Sequence, residues 1–390
     1  MILSTSFSNR AAVLLLASSL FLSGCVGVKG DAKEAPAPRG GKFSIAVFPI
    51  ENLSGRAAPR GEIRESLIRN LKMEGFQVLD DDALEKFMAR NRIRYTGGID
   101  RVTAQALRME TGVEAVLITS IELYSEEIPP KIALISRLVS TGDNPVILWT
   151  DGVGLAGDDS PGILGLGLIE DSKTLMEKAL HVLSSSITNY FLINKEQREG
   201  KRPARKFRPK IAYRSPEIGG GKKYTVAVVP FFNIGGRKFA GEIMLLHFIR
   251  SLKRFKNYDV IEPGIVRQEL LRLRIIIEEG VSFADATLIS STLGADWILN
   301  GKVMDYQDYA GSWGKPKVDF SAVLIERKGR EVVWNSTSHN EGDDGVFFFD
   351  RGRVNTAYAM ASQMTQMVVK MIGEETKSVQ GAKASKDRVK

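Results

Sequence analysis

Two α/β domains in series, each a mixed sheet flanked by helices, are predicted by three observations on this 390-residue chain. An internal duplication spans most of it, β-branched runs stop at a proline, and helical-period apolar stripes end at a glycine. In the duplication, Phe43-Ser44-Ile45-Ala46-Val47-Phe48-Pro49-Ile50 recurs as Tyr224-Thr225-Val226-Ala227-Val228-Val229-Pro230-Phe231. Asn52 and Gly55 match Asn233 and Gly236, and Gly61-Glu62-Ile63 matches Gly241-Glu242-Ile243. Further on, Gly112 to Leu117 matches Gly294 to Leu299, and Trp149 and Gly157-Asp158-Asp159 match Trp334 and Gly342-Asp343-Asp344. The offset drifts only from 180 to 185 residues while the order is kept, as expected of a repeated structural unit.

Each copy reads in the order β-α-β-α-α-β-β-β-α. The first strand (Ile45 to Val47; Val226 to Val229) ends at a proline, which cannot continue a central strand. The next helix carries Ile63, Leu67, Ile68 and Leu71 on one face. A short strand (Phe76 to Leu79; Tyr258 to Ile261) leads into two more helices, the second ending at Gly112 or Gly294, where a C-cap is expected. An apolar strand follows, and then a hairpin: Lys131 to Ser140 with Val146 to Thr150, and Lys317 to Glu326 with Glu331 to Ser338. A long helix closes each copy, Ser172 to Ile193 and Val354 to Ile372. Each unit, about 150 residues, is large enough for a core of its own.

The net charge of +8 belongs to segments outside these units. Residues 195–223 hold eleven Lys/Arg against three Glu, which alone accounts for +8. A nucleic-acid footprint would be a basic face on folded structure, so no nucleic-acid partner is expected. This stretch also holds Pro203, Pro209, Pro216 and Gly219-Gly220-Gly221 and reads as an extended spacer. Its cations are either solvated or in contact with anionic lipid headgroups. The expected organisation is a signal segment 1–24, a tether 25–42, domains 43–193 and 223–374 joined by the linker 194–222, and a polar tail 375–390.

The amino terminus carries the only cysteine. Ala11 to Leu22 is uncharged, follows Arg10, and is too short to span a bilayer. It ends in Leu22-Ser23-Gly24-Cys25, which resembles the signal-peptidase recognition sequence of bacterial lipoproteins. The resemblance implies cleavage before Cys25, which then carries diacylglycerol and an acyl (palmitate-type) chain; several chains anchor stably where one does not. It further implies a lipid-anchored protein that faces the periplasm. Val26 lacks the aspartate associated with inner-membrane retention, which points to the outer membrane. The alternative is an ordinary signal peptide with a coincidental cysteine. Val26 to Lys42 would reach about 55 Å when fully extended, which keeps the first domain near the membrane.

The succession strand-Pro, Asn-x-x-Gly, helix, strand, helix, Gly-x-acid-x-apolar strand, hairpin, helix resembles the CsgG, TolB amino-terminal and LpoB group of envelope domains. Ala46 to Gly55, Leu84-Glu85-Lys86-Phe87-Met88, Val113 to Leu117, Ala227 to Asn233 and Gly294 to Leu299 carry the likeness. It implies binding to other envelope proteins or self-association, without catalysis, as an accessory factor in envelope assembly or secretion. The alternative it implies is a subunit of an oligomeric outer-membrane secretion channel.

Other motifs have a bland and a sharper reading. Gly152-x-Gly154-x-x-Gly157 matches a dinucleotide fingerprint, but Asp158-Asp159-Ser160-Pro161-Gly162 follows, which breaks a helix and repels phosphate. No cofactor is expected. Asp158-Asp159 and Asp343-Asp344 form polar turns with helix-capping carboxylates or contact a cation or partner. The apolar loops after them, with Leu164 and Leu166 or Phe347 and Phe348, either fold onto their own domain or meet a partner. His181, His247 and His339 lack metal-ligand spacing, and no nucleophile motif is present. Neither a metal site nor an enzyme is expected.

Overall fold

The computed structural model describes residues 43–159, 167–191, 203–219, 221–277, 280–309, 314–346 and 352–374. Leu22, Ser23, Gly24, Cys25, Leu164, Leu166, Phe347 and Phe348 lie outside these residues.

In the first half, β1 (Ser44–Val47), β2 (Glu51–Asn52), α1 (Arg60–Met73), β3 (Gln77–Val78), α2 (Asp81–Arg90) and α3 (Arg101–Thr111) precede three long strands. These are β4 (Ala115–Ser125), β5 (Lys131–Ser140) and β6 (Ile147–Ala156), followed by α4 (Ser172–Phe191). The sheet runs β3-β1-β4-β5-β6, parallel across its first three strands and antiparallel beyond.

The second half repeats the order: β8 (Tyr224–Val228), β9 (Phe232–Asn233), α5 (Ala240–Lys253), β10 (Tyr258–Val260), α6 (Pro263–Arg272) and α7 (Phe283–Leu293). Then come β11 (Trp297–Gln307), β12 (Lys317–Glu326), β13 (Glu331–Glu341) and α8 (Ala357–Gly373). Its sheet runs β10-β8-β11-β12-β13, the same path as the first, and carries one further strand at the end, β7 (Lys210–Arg214).

That strand departs from the expected spacer. Lys210 to Arg214 pairs antiparallel with Trp334 to Thr337, and Phe207 and Ile218 on either side of it are buried, 1% and 4% exposed. The basic residues conceal an Ile211/Tyr213 alternation that suits a sheet edge, and edges tolerate Lys and nearby proline. The described part of residues 194–222 thus includes a paired edge strand with exposed side chains, held between the buried Phe207 and Ile218.

Local chemistry explains the element ends. Asp80, Asp100, Ser282 and Thr356 accept a backbone N–H from the first turns of α2, α3, α7 and α8. Gly112 and Gly294 close α3 and α7 with φ of 73° and 69°, a left-handed conformation that a Cβ disfavours. Ile63, Leu67, Ile68 and Leu71 of α1 are buried as the stripe predicts and pack with α4 on one sheet face, in a core made wholly of first-half residues. Each such side chain contributes about 1.5–3 kcal/mol. Both halves place a bulge at the same point of the first long strand, at Glu122 and at Met304. In the second half α6 and α7 cover one sheet face.

Candidate functional site

The other face of the first sheet does not meet solvent. Ala133, Ile135, Val139 and Ile147 share one core with α5, α8 and the second sheet, so the two halves meet along a continuous apolar seam. Sequence pattern shows why this happens here. From Ala240 to Leu252 every residue of α5 except Glu242 is buried and most are apolar, the pattern of a helix packed on several sides. In β6, Gly152 and Gly154 make room for Tyr358 of α8. A Cβ at residue 152 would lie 2.6 Å from its hydroxyl, and one at residue 154 would lie 2.1 Å from its ring. Gly157 is needed for another reason, since its Cβ would meet the Ile169 carbonyl at 2.1 Å. The dinucleotide-like text is thus a strand shaped for an aromatic ring and then a tight loop return.

Three pairs of ionisable side chains, buried or largely so, meet in this seam. Arg137 of β5 reaches Glu262, the N-cap of α6, at 2.9 Å, the side chains being 1% and 0% exposed. The bulge at Glu122 turns that carboxylate toward α5, where His247 Nε2 lies 2.9 Å away. The Tyr306 hydroxyl donates to its other oxygen, and Arg237 donates to the Glu122 carbonyl. Arg250 of α5 reaches Asp151 of β6 at 2.8 Å, and Ser186 of α4 donates to the same carboxylate at 2.7 Å. Lys131 adds a bond to the Tyr309 carbonyl at 2.8 Å and sits 3.2 Å from the centre of that ring.

Electrostatics follow from these partners. Burial raises the pKa of Glu122, but His247 and Arg237 outweigh it and hold the carboxyl below its usual range. Burial likewise opposes ionisation of Asp151, and Arg250, Ser186 and the Gly152 N–H reverse the sign. Asp308 is different. Its Oδ1 accepts from Ala357 N at 2.9 Å, but Oδ2 has no hydrogen-bond partner and Arg237 stands 4.0 Å away, so burial pushes its pKa up to about 6.

A cleft of about 220 Å³ opens where the seam reaches the surface, lined by Ser54, Arg56 and Tyr124 of the first half and Arg237, Tyr306 and Asp308 of the second. It falls below the roughly 300–1,000 Å³ of drug-sized sites, so it admits only a small polar group. Corresponding loops shape both walls. Asn52 and Asn233 each donate to a carbonyl four residues on, at Arg56 and Arg237, and accept from the residue two ahead. That is the physical content of the repeated Asn-x-x-Gly spacing.

The twin Asp pairs do not converge on one place. Asp159 and Asp344 each accept a backbone N–H three residues back, from Ala156 and Glu341, and so hold equivalent turns. They do not cap the closing helices, a role taken by Asp171, which accepts from Thr174, and by Thr356. Asp158 has a buried unpaired oxygen, and Asp343 pairs with Lys315. His247 is structural, exposed His339 pairs with half-buried Asp319, and among the described residues no His, Cys, Asp or Glu cluster is placed to hold a metal ion. Among those residues no helix is long and apolar enough to cross a membrane.

Sequence reasoning missed the seam residues. Their signal was present as single charges inside apolar strands or helices: Arg137 within Ile132 to Val139, and His247 and Arg250 within Ile243 to Leu252.

No family model and no curated protein matches this chain. Among solved structures it is similar to the PelC dodecamer from Paraburkholderia phytofirmans, with 15% identity, 43% of this chain and 99% of that chain covered, and a TM-score of 0.31. It is similar to lipoprotein GNA1162 from Neisseria meningitidis, with 21% identity, 39% and 99% coverage and a TM-score of 0.28. A third similarity is to the LpoB C-terminal domain from Escherichia coli, with 14% identity, 31% and 85% coverage and a TM-score of 0.24.

Proposed function

We propose that this chain is a lipoprotein anchored through Cys25 to the outer membrane and facing the periplasm, where it acts as a non-catalytic accessory factor that binds other envelope proteins. The address rests on Leu22-Ser23-Gly24-Cys25 behind an uncharged apolar run. One structural observation supports binding over catalysis. The ionisable groups of the seam are engaged with each other, Arg137 with Glu262, Glu122 with His247 and Asp151 with Arg250, and only Asp308, Arg237 and Tyr306 reach the small cleft at its edge. Their chemistry is spent on holding two halves in register.

Two measurements test the reading. Cys25→Ser releases the protein from the membrane fraction; retention of that variant would remove the anchor. Crosslinking in intact cells followed by capture through the carboxyl terminus yields a stoichiometric envelope protein. Recovery of the chain alone would refute the binding role.

A further inference from the structure

The seam joins two unlike surfaces. The first half offers the open face of β5 and β6, and the second offers α5, α8 and the start of α6. Such a head-to-tail contact extends into rings or filaments only if every unit carries both surfaces. Strand register allows each surface to be compared with its counterpart in the other half. In the first sheet Ala133 lies opposite Gly154 and Ile135 opposite Gly152. At the corresponding points of the second sheet, Asp319 lies opposite His339 and Ser321 opposite Thr337. Ala133 and Ile135 are 0% and 2% exposed, whereas the Asp319 and His339 side chains are 28% and 53% exposed. Side chains at 337 and 339 fill the space that a ring like that of Tyr358 would need.

The helical surface is equally one-sided. His247 and Arg250 of α5 correspond to Leu67 and Asn70 of α1, and Leu67 is buried in its own half. Tyr358 of α8 corresponds to Lys173 of α4, which is exposed. Glu262, buried against Arg137, corresponds to exposed Asp80, and Arg137 itself corresponds to Val323. Tyr358, the recess at Gly152 and Gly154, the Arg137–Glu262 pair, His247 and Arg250 are therefore present once, whereas Arg237, Tyr306 and Lys131 have like counterparts in Arg56, Tyr124 and Lys317.

We infer that the seam is a single-use interface, with its receiving face built only in the first half and its inserting face only in the second, so that each half is the other's sole partner for this contact and the protein acts as one self-paired chain. The outward surfaces, α1 with α4 and the polar face of β12 with β13, end the stack and leave the chain as a terminated unit. This holds independently of which envelope protein it binds.

Native mass spectrometry of the membrane-extracted chain in detergent, and of the mature chain carrying Cys25→Ser, tests this at micromolar concentration. Both give the mass of a single chain; a ring, a ladder or a dimer overturns the inference. A matched pair of substitutions tests the one-sidedness separately. Gly154→Leu lowers the thermal midpoint by about 5 °C or more by displacing Tyr358. His339→Leu, at the corresponding position of the other sheet, shifts it by about 2 °C or less and leaves the mass unchanged. If Gly154→Leu does not fold, the His339→Leu result still decides. A loss at His339→Leu as large as at Gly154→Leu, or no loss at either, overturns the inference.

Discussion

Arg137 and Glu262 form a two-pronged ion pair, with Nε at 3.0 Å and Nη2 at 2.9 Å from the carboxylate oxygens, and neither side chain reaches solvent. A fully buried pair gains little over a well-packed apolar pair, but removing one partner strands the other charge. Arg137→Met or Glu262→Leu alone therefore destabilises by about 3–5 kcal/mol. Arg137→Met with Glu262→Leu loses much less than the sum. Chemical unfolding of the four proteins checks this, and simple additivity would show that the two side chains do not interact.

Asp308 predicts a pH dependence with a definite sign. Its ordinary pKa of 3.8 is raised to about 6, so the folded state holds a proton that the unfolded state has lost across that window. The contribution of Asp308 to stability rises as pH falls from 6 and is absent at neutral pH. Arg237, Glu122 and Lys131 are the charged groups that face it. Asp308→Asn keeps an acceptor for Ala357 N and raises stability at pH 7.5 by up to about 3 kcal/mol, with little effect at pH 4. Thermal midpoints across pH for the two proteins check it, and parallel curves would contradict it.

Glu122 and Asp151 act in the opposite direction. Both are held below their usual range, so their contribution is complete above the ordinary carboxylate pKa values and is lost as pH falls through the lowered ones. Glu122→Gln is expected to remove part of the acid sensitivity below that range while costing about 1–3 kcal/mol at neutral pH through a weakened bond to His247. Acid titrations followed by near-ultraviolet circular dichroism compare the two proteins.

The pairing of β7 predicts protection from hydrogen exchange. A peptide spanning Lys210 to Arg214 exchanges much more slowly than free chain because it pairs with Trp334 to Thr337. Exchange at the free-chain rate would show that the edge strand is not formed.

Much of each half was legible because the responsible signals are local. The α1 stripe, the Gly112 and Gly294 caps and the two hairpins depend on residues a few positions apart. The seam was not legible, because the repeat directs attention to what the halves share, whereas Tyr358, Gly154, Arg137 and Glu262 of the seam are residues they do not share. Glycine at 154 and histidine at 339 look like ordinary divergence until Tyr358 is found resting on one of them. β7 stayed hidden because eleven cations in residues 195–223 outweigh an alternation of only two apolar residues.

The glycines of β6 also bear on the order in which the chain takes shape. A strand with glycine at two positions keeps more freedom before folding and has no side chains there to press against its neighbours. The ring that completes it comes from residue 358, synthesised about two hundred residues later. The amino-terminal half therefore emerges with an unfinished sheet face that waits for the carboxyl-terminal helix, and a chain truncated before α8 would lack the piece that closes its beginning. Completeness at one end of this protein is registered at the other.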